Sequence, residues 1–429
     1  MNLAKPENLP AFTLDSTFKK ALLDRFVRYV KVNTRSSDTS ESFPSTKEQW
    51  DLLKMLEQEL KELGLKDIGL DEHGYLFATL PSNLPEGRKA PAIGLLAHVD
   101  TYPGTSGENV KPQVIDYQGG DLVLPGDPSQ VIKADHPQLS KCVGKTVITT
   151  DGTTLLGADD KAGIAVIMTQ LDWLLKHPEV PHGDIRIGFT PDEEIGKGTL
   201  HFDVKRFGAF AAYTFDGSLL GEIEDETFCA DGATATITGF DVHPGQAKNV
   251  MVSAIRAAAH LVSLLPKDHL PETTEKRESF LHPVAINGEV GQSVVRFIVR
   301  GFTEEDLAAR RKSLEEIAAQ TEKDFPGAKV AVEFKVQYRN MKQVLDKHPE
   351  IVELAMEAVR RTGETPMLNS IRGGTDGAQL SFKGLPTPNV FAGAINFHGK
   401  QEWVCLEWMA KSVETGLHLA FLWGQQEAR

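Results

Sequence analysis

The chain has 429 residues, 41% hydrophobic and 25% charged, a globular composition long enough for one large domain or two ordinary ones. Its formal net charge of -14, with 46 Lys and Arg against 60 Asp and Glu, argues against nucleic acid or an anionic membrane as the main partner. The three cysteines, Cys142, Cys229 and Cys405, are far apart and form no CxxC pair, and no run approaches the ~18 apolar residues of a membrane span, which argues against a disulfide scaffold and a membrane protein.

The opening stretch, MNLAKPENLPAFTLDSTFKK, lacks the apolar segment of a secretory signal, so a cytoplasmic location is expected. Phe18, Leu22 and Phe26 recur at helical spacing. Ser45 and Glu48 read as a capping box for a second helix, with Trp50, Leu53, Leu56, Leu60 and Leu63 as its apolar stripe and Gly64 as its stop. Strands are expected over 75–80 and 92–97. The segment 162–175 is apolar nearly all round and reads as a buried helix. Ile185–Thr190 and 209–215 read as buried strands. This alternation predicts an α/β layered domain.

After about Ala230 the pattern changes. Strands are expected over 233–239, 294–300 and 328–338. A helix is expected over 249–265, with Val252, Ile255, Ala259 and Val262 on its inner face, and another over 303–323, with Leu307, Leu314 and Ile317 as core contacts. A helix carrying Ile351 and Leu354, stopped by Gly363, then restores the first pattern. The chain is therefore divided into an α/β domain over 1–230 and 340–429 and a small inserted α+β domain over 231–339.

Five segments carry candidate chemistry. In Ala97-His98-Val99-Asp100-Thr101, period-two geometry points His98 and Asp100 the same way, and Asp100 could orient the ring of a metal-bound His98. A surface turn with an incidental histidine is the alternative. Asp159 and Asp160, between Gly157 and Gly163, open the buried helix, where acids serve either as a cap or as site residues past a strand. In Thr190-Pro191-Asp192-Glu193-Glu194, three consecutive acids form either a solvated loop or a split pair. In the second case Glu194 holds a cation and Glu193 stays free as a general base. Asp216 follows another apolar strand, and His398 lies in Asn396-Phe397-His398-Gly399. Together, two imidazoles and three carboxylates make a ligand set for two divalent ions. The absence of thiolate fits zinc, with manganese or cobalt as substitutes. One carboxylate must bridge if each ion is to have three protein ligands.

The segments HVDT, GTTLLGADDKAG, FTPDEEIGKGT, YTFDG, VHPG, IRGGTDGAQLS and FHGKQEWV, running in order from about residue 95 to 405, resemble the signatures of a known enzyme family. It is the di-zinc family that holds succinyl-diaminopimelate desuccinylase, aminoacylases and bacterial glutamate carboxypeptidases. The resemblance implies a zinc-exopeptidase-like three-layer catalytic domain and a ferredoxin-like inserted domain acting as lid or dimerisation module. It implies two Zn2+ per chain, with Asp159 bridging, His98 and Asp216 on one ion, and Glu194 and His398 on the other. Asp100 would support His98 and Glu193 would be the general base. His243 would polarise the scissile carbonyl, and Arg300, Arg372 and Asn249 would contact the substrate.

The implied activity is release of the N-terminal residue from short peptides, mainly tripeptides. A deacylase or carboxypeptidase of the same chemistry and a non-catalytic metal-binding homologue are the alternatives. Inserted domains of this family often dimerise, and the sequence leaves a homodimer open. Three positions depart from the family pattern. Ser218-Leu219-Leu220 follows Gly217 where glycines are frequent, Gly301 stands where an acid is common, and Gln401 replaces a frequent histidine.

Overall fold

The computed structural model describes residues 15–428. Most of the segment on which the absence of a secretory signal was read, residues 1–14, lies outside the described residues. The chain forms two compact units. One runs to Asp225 and resumes over Met341–Asn369 and from Thr375 onward, and the other takes Glu226–Asn340 and Ser370–Gly374. Among the described residues no helix is long and apolar enough to cross a membrane.

The first unit is built on an eight-stranded sheet. Its order is Lys66–Leu70, Leu76–Leu80, Ile185–Thr190, Ile93–His98, Ala211–Gly217, Asn389–Phe391, Glu222–Thr227 and Met367–Ile371. Ile93–His98 pairs in parallel with both Ile185–Thr190 and Ala211–Gly217, so their carboxyl ends emerge on one edge. His98 stands opposite Thr190 in register, three residues before Glu193. A smaller sheet orders Ala394–Ile395, Trp403–Cys405, Lys145–Thr149 and Gln113–Tyr117. This sheet joins the chain leading to Asp159 to the chain on both sides of His398.

The helix Ala158–Lys176 packs against the helices Ser16–Val30 and Leu406–Gly424 and against two central strands. Enclosure on several sides explains why it is apolar all round rather than along one stripe. Each fully buried Leu, Ile or Val there contributes about 1.5–3 kcal/mol as an upper figure. Gly163 permits the close approach, because a Cβ at this position would lie 2.0 Å from the Phe215 carbonyl oxygen. The approach sets the start of the helix beside the end of the strand that carries Asp216.

Three local expectations are corrected. The helix Gln49–Leu63 has no side-chain cap. Ser45 instead gives its hydroxyl to Asp192, 147 residues away, so its polar group is spent on a long-range contact. Leu52, rather than Trp50, lies on that helix's buried face. The third concerns the inserted helix, which spans Ala254–Ser263 after Ser253 as N-cap. It buries Ala254, Ala257, Ala258 and Leu261, while Ile255 is exposed, because small residues allow the helix to lie close on its sheet.

The second unit also contains a strand that the sequence reading passed over, Phe280–Gly288, whose proline and polar residues weaken its alternation. Its sheet is fully antiparallel, in the order Phe280–Gly288, Gln292–Gly301, Cys229–Thr238, Lys329–Tyr338. With the helices Ala254–Ser263 and Glu304–Asp324 this is the β-α-β-β-α-β arrangement of ferredoxin-like domains. Asp231 is fully buried there and is held by Arg311 and Arg339.

Candidate metal centre

The parallel strands deliver His98 and Asp216 directly. His98 is the last residue of its strand and is buried. Its Nε2 lies 2.8 Å from Asp159 Oδ1 and 3.7 Å from Asp216 Oδ1. Its Nδ1 faces Asp100, 3.1 Å from the backbone oxygen and 3.4 Å from the carboxylate.

Asp159 lies at the start of the buried helix Ala158–Lys176, where the sequence put it, but that start is kinked: Asp159 and Asp160 leave helical φ/ψ. The deviation lets the Asp159 side chain point back toward both histidines. His398, on the loop between Ala394–Ile395 and Trp403–Cys405, places its Nε2 3.2 Å from Asp159 Oδ2 and 2.9 Å from Glu194 Oε2. The ring of Tyr102 stacks on that of His398, with centroids 4.2 Å apart and planes 3° from parallel. Thr105 donates its hydroxyl to the His398 carbonyl oxygen at 2.7 Å.

Two overlapping groups of candidate ligands result. His98, Asp159 and Asp216 form one, and Asp159, Glu194 and His398 form the other. Within each, one ligand atom per residue lies within 4.8 Å of the others. Asp159 belongs to both, and Glu193 to neither. The site fits divalent cations on chemical grounds: the donors are imidazole and carboxylate, and the buried Glu194 Oε1 has no hydrogen-bond partner.

The charges show the same need. Burial pushes the Glu194 carboxyl up to about 8, aided by the charge of Asp159. Burial and Asp159 raise Asp216 to about 6. Burial opposes the charging of His398, but its hydrogen bonds to Asp159 and Glu194 outweigh this and raise it to about 11. His98 is likewise raised against its burial, by Asp100, Asp159 and Asp216. In the metal-free protein the histidines are held as cations among the acids, the positions that metal ions would take over. Burial, with the nearby acids Asp376, Asp216 and Glu194, pushes Glu193 well above the usual carboxylate range.

Asp100, already read as the support of His98, holds this arrangement together with Asp192, Asp376 and Glu402, which the sequence reading left without a role. Asp100 accepts the backbone N–H groups of Glu193 at 3.0 Å and Glu194 at 3.2 Å, so it fixes their turn as well as facing His98. Asp192, buried at a left-handed φ of 58°, accepts from Ser45 N and Gln49 Nε2, each at 2.7 Å. Asp376 accepts from the Thr190 hydroxyl at 2.7 Å. The fully buried Glu402 accepts three backbone N–H groups of the segment leading into Asp159. Its only signal in the sequence was its place within FHGKQEWV.

The remaining candidates lie in the second unit. His243 is exposed and heads a short 3-10 turn, its Nδ1 accepting from Gly245 N at 3.1 Å. Asn249 is exposed with a φ of 64°. Arg300 donates to the carbonyl oxygens of Asp231 and Val299 and lies over the ring of Tyr338. Arg372 donates to the carbonyl oxygens of Lys276 and Glu278 and to the Thr274 hydroxyl, beside the rings of Phe228 and Phe280.

Comparison with known proteins places this geometry in context. Residues 150–421 match the sequence signature of peptidase family M20/M25/M40. A protein named Peptidase T from Geobacillus kaustophilus is 46% identical over 410 residues, covering 95% of this chain and 99% of that one. The crystal structure of aminopeptidase PepT from Bacillus cereus superposes with a TM-score of 0.73 at 26% identity, covering 95% of this chain and 99% of its own. The fold is also shared with a dinuclear metal-binding peptidase of the M20 family from Bacillus subtilis, with a TM-score of 0.65, 15% identity and coverage of 95% and 98%.

Proposed function

This chain belongs to peptidase family M20/M25/M40, and on that premise we propose that it is an aminopeptidase that removes the N-terminal residue from tripeptides, using two zinc ions. The observation that carries this reading is the pair of ligand groups sharing Asp159, with Glu193 beside them and outside both. The named relatives support the aminopeptidase assignment over a deacylase or carboxypeptidase. Three cysteines far apart in the sequence, with no CxxC pair, support a reducing, cytoplasmic location.

In this reading His98 and Asp216 would hold one ion and Glu194 and His398 the other, with Asp159 as the ligand common to both. Divalent cations held by these residues would supply Lewis acidity toward the scissile carbonyl and toward the attacking water. Glu193 takes the proton of the attacking water and returns it to the leaving amine. Asp100 holds His98 in its ligating tautomer and keeps the Glu193–Glu194 turn in register. His243 is proposed to stabilise the developing oxyanion, Arg300 or Arg372 to bind the substrate carboxylate or backbone, and Asn249 to contact the substrate beside them.

Digestion of a peptide library by the zinc-loaded enzyme tests the assignment. Tripeptides with a free amine should lose their first residue, and N-acetylated peptides should stay intact. Cleavage of the acetylated peptides, or release from the carboxyl end, would overturn it. Alanine at Arg300 and at Arg372, assayed on a tripeptide and its C-terminal amide, identifies the carboxylate-binding arginine. An unchanged preference in both variants would remove that role.

A further inference from the structure

The buried helix Ala158–Lys176 begins without a cap of its own. Its N-cap is Gly157, at a φ of 77°, which offers no side chain. Leading donors of a helix are left unpaired by the helix itself, and burying them without acceptors is costly. The acceptor comes from 243 to 246 residues further along the chain. Glu402 Oε2 receives the N–H groups of Leu156 at 2.9 Å and Gly157 at 2.8 Å, and Oε1 receives that of Asp159 at 2.9 Å.

Glu402 is itself only 1% exposed. Taking a carboxylate out of water is expensive, and three charge-assisted hydrogen bonds are what allow it. Its own backbone is fixed from the other side. Glu402 N donates to Gly399 O at 3.2 Å, closing the loop that carries His398. The next residue, Trp403, pairs with both Thr149 and Ile395 in the smaller sheet. One side chain therefore spans two segments that supply candidate ligands. It grips the backbone N–H of Asp159 and stands four residues after His398, and the two ligand side chains meet at 3.2 Å.

We propose that Glu402 is a positioning residue that sets the Asp159 segment against the His398 loop, so that Asp159 faces both histidines. The proposal rests on the metal-centre reading above and deepens it. A simple helix cap would stabilise the fold without touching metal affinity. A positioning residue, by contrast, changes how tightly the metal is held and how fast the bound substrate turns over. Glu402→Gln keeps the shape but replaces one acceptor oxygen by an amide N–H₂, which faces an N–H donor in either orientation.

The test is zinc titration of the full chain against a competing chelator, with circular dichroism for folding and kcat and KM on Ala-Ala-Ala at saturating zinc. Glu402→Gln should fold, bind zinc roughly 10–100-fold more weakly and lose kcat with little change in KM. Wild-type zinc affinity and kcat in a folded Glu402→Gln would overturn the proposal, whatever happens to its melting temperature. Should that variant fail to fold, Glu402→Asp, which keeps the charge and draws the carboxylate back by one methylene, takes its place. Weaker zinc binding in it supports the role and wild-type affinity overturns it. A wild-type chain that binds no zinc or cuts no peptide would instead sink the functional reading.

Discussion

The Asp100 carboxylate accepts the backbone N–H of Glu193 at 3.0 Å while facing the ring of His98 at 3.4 Å. A candidate ligand and the candidate base are thus held by one fully buried side chain. Asp100→Asn keeps the size but presents an amide N–H₂ either to the imidazole or to one of the two N–H donors. Partners of this kind are worth roughly 10–100-fold in metal affinity or activity. We expect a loss of that size in kcat, with a melting temperature close to wild type in the zinc-loaded protein. Full activity in this variant would show that the turn holds itself.

Asp159 is common to both ligand groups, whereas Asp216 and Glu194 each belong to one. Asp159→Ala should therefore abolish tight binding of both ions, and Asp216→Ala or Glu194→Ala should leave one tight site. Metal content after dialysis, read by elemental analysis, distinguishes the three. The loss should also appear in stability. A ligand at 100 times its Kd adds about 2.7 kcal/mol, so zinc should raise the wild-type melting temperature and leave that of Asp159→Ala nearly unmoved. Equal zinc content in all three variants would contradict the shared-ligand arrangement.

Glu193 sits in neither ligand group, so Glu193→Gln should keep zinc content and affinity near wild type. Loss of a general base costs about 10²–10⁴ in rate, and that is the expected fall in kcat on a tripeptide. Retention of activity would remove Glu193 from the chemistry. Loss of zinc along with activity would reassign it as a ligand.

The parts of the site that were legible in the sequence are those set by local geometry. His98 and Asp216 could be placed because apolar strands end there, and α/β proteins gather their sites at such ends. Asp159 was legible as a residue at the opening of the buried helix, but the kink there was not, because it leaves no local signature. Glu402, Asp192 and Ser45 act through contacts 143 to 246 residues away, and no periodicity encodes such pairings. The helix Ala254–Ser263 shows the converse limit. Hydrophobicity assigned Ile255 to its inner face, but close packing on the sheet selected alanines instead.

The last prediction concerns stability away from the metal centre. His418, on the helix Leu406–Gly424, is buried, and burial together with the charges of Arg361 and Lys411 lowers it to about 4, with Glu357 opposing. In the unfolded chain the same group titrates near 6.5. As pH falls through 6.5 the unfolded state takes up a proton that the folded state refuses, so stability is lost on acidification and the loss levels off only below about 4. Between about pH 7 and about pH 5 the loss is about 2 kcal/mol. His418→Gln cannot take up that proton. Urea unfolding of chelator-treated protein should therefore show the wild type losing about 2 kcal/mol more than the variant over this interval. Parallel pH profiles for the two proteins would mean that the folded chain accommodates the imidazolium and that the burial of His418 carries no titration penalty.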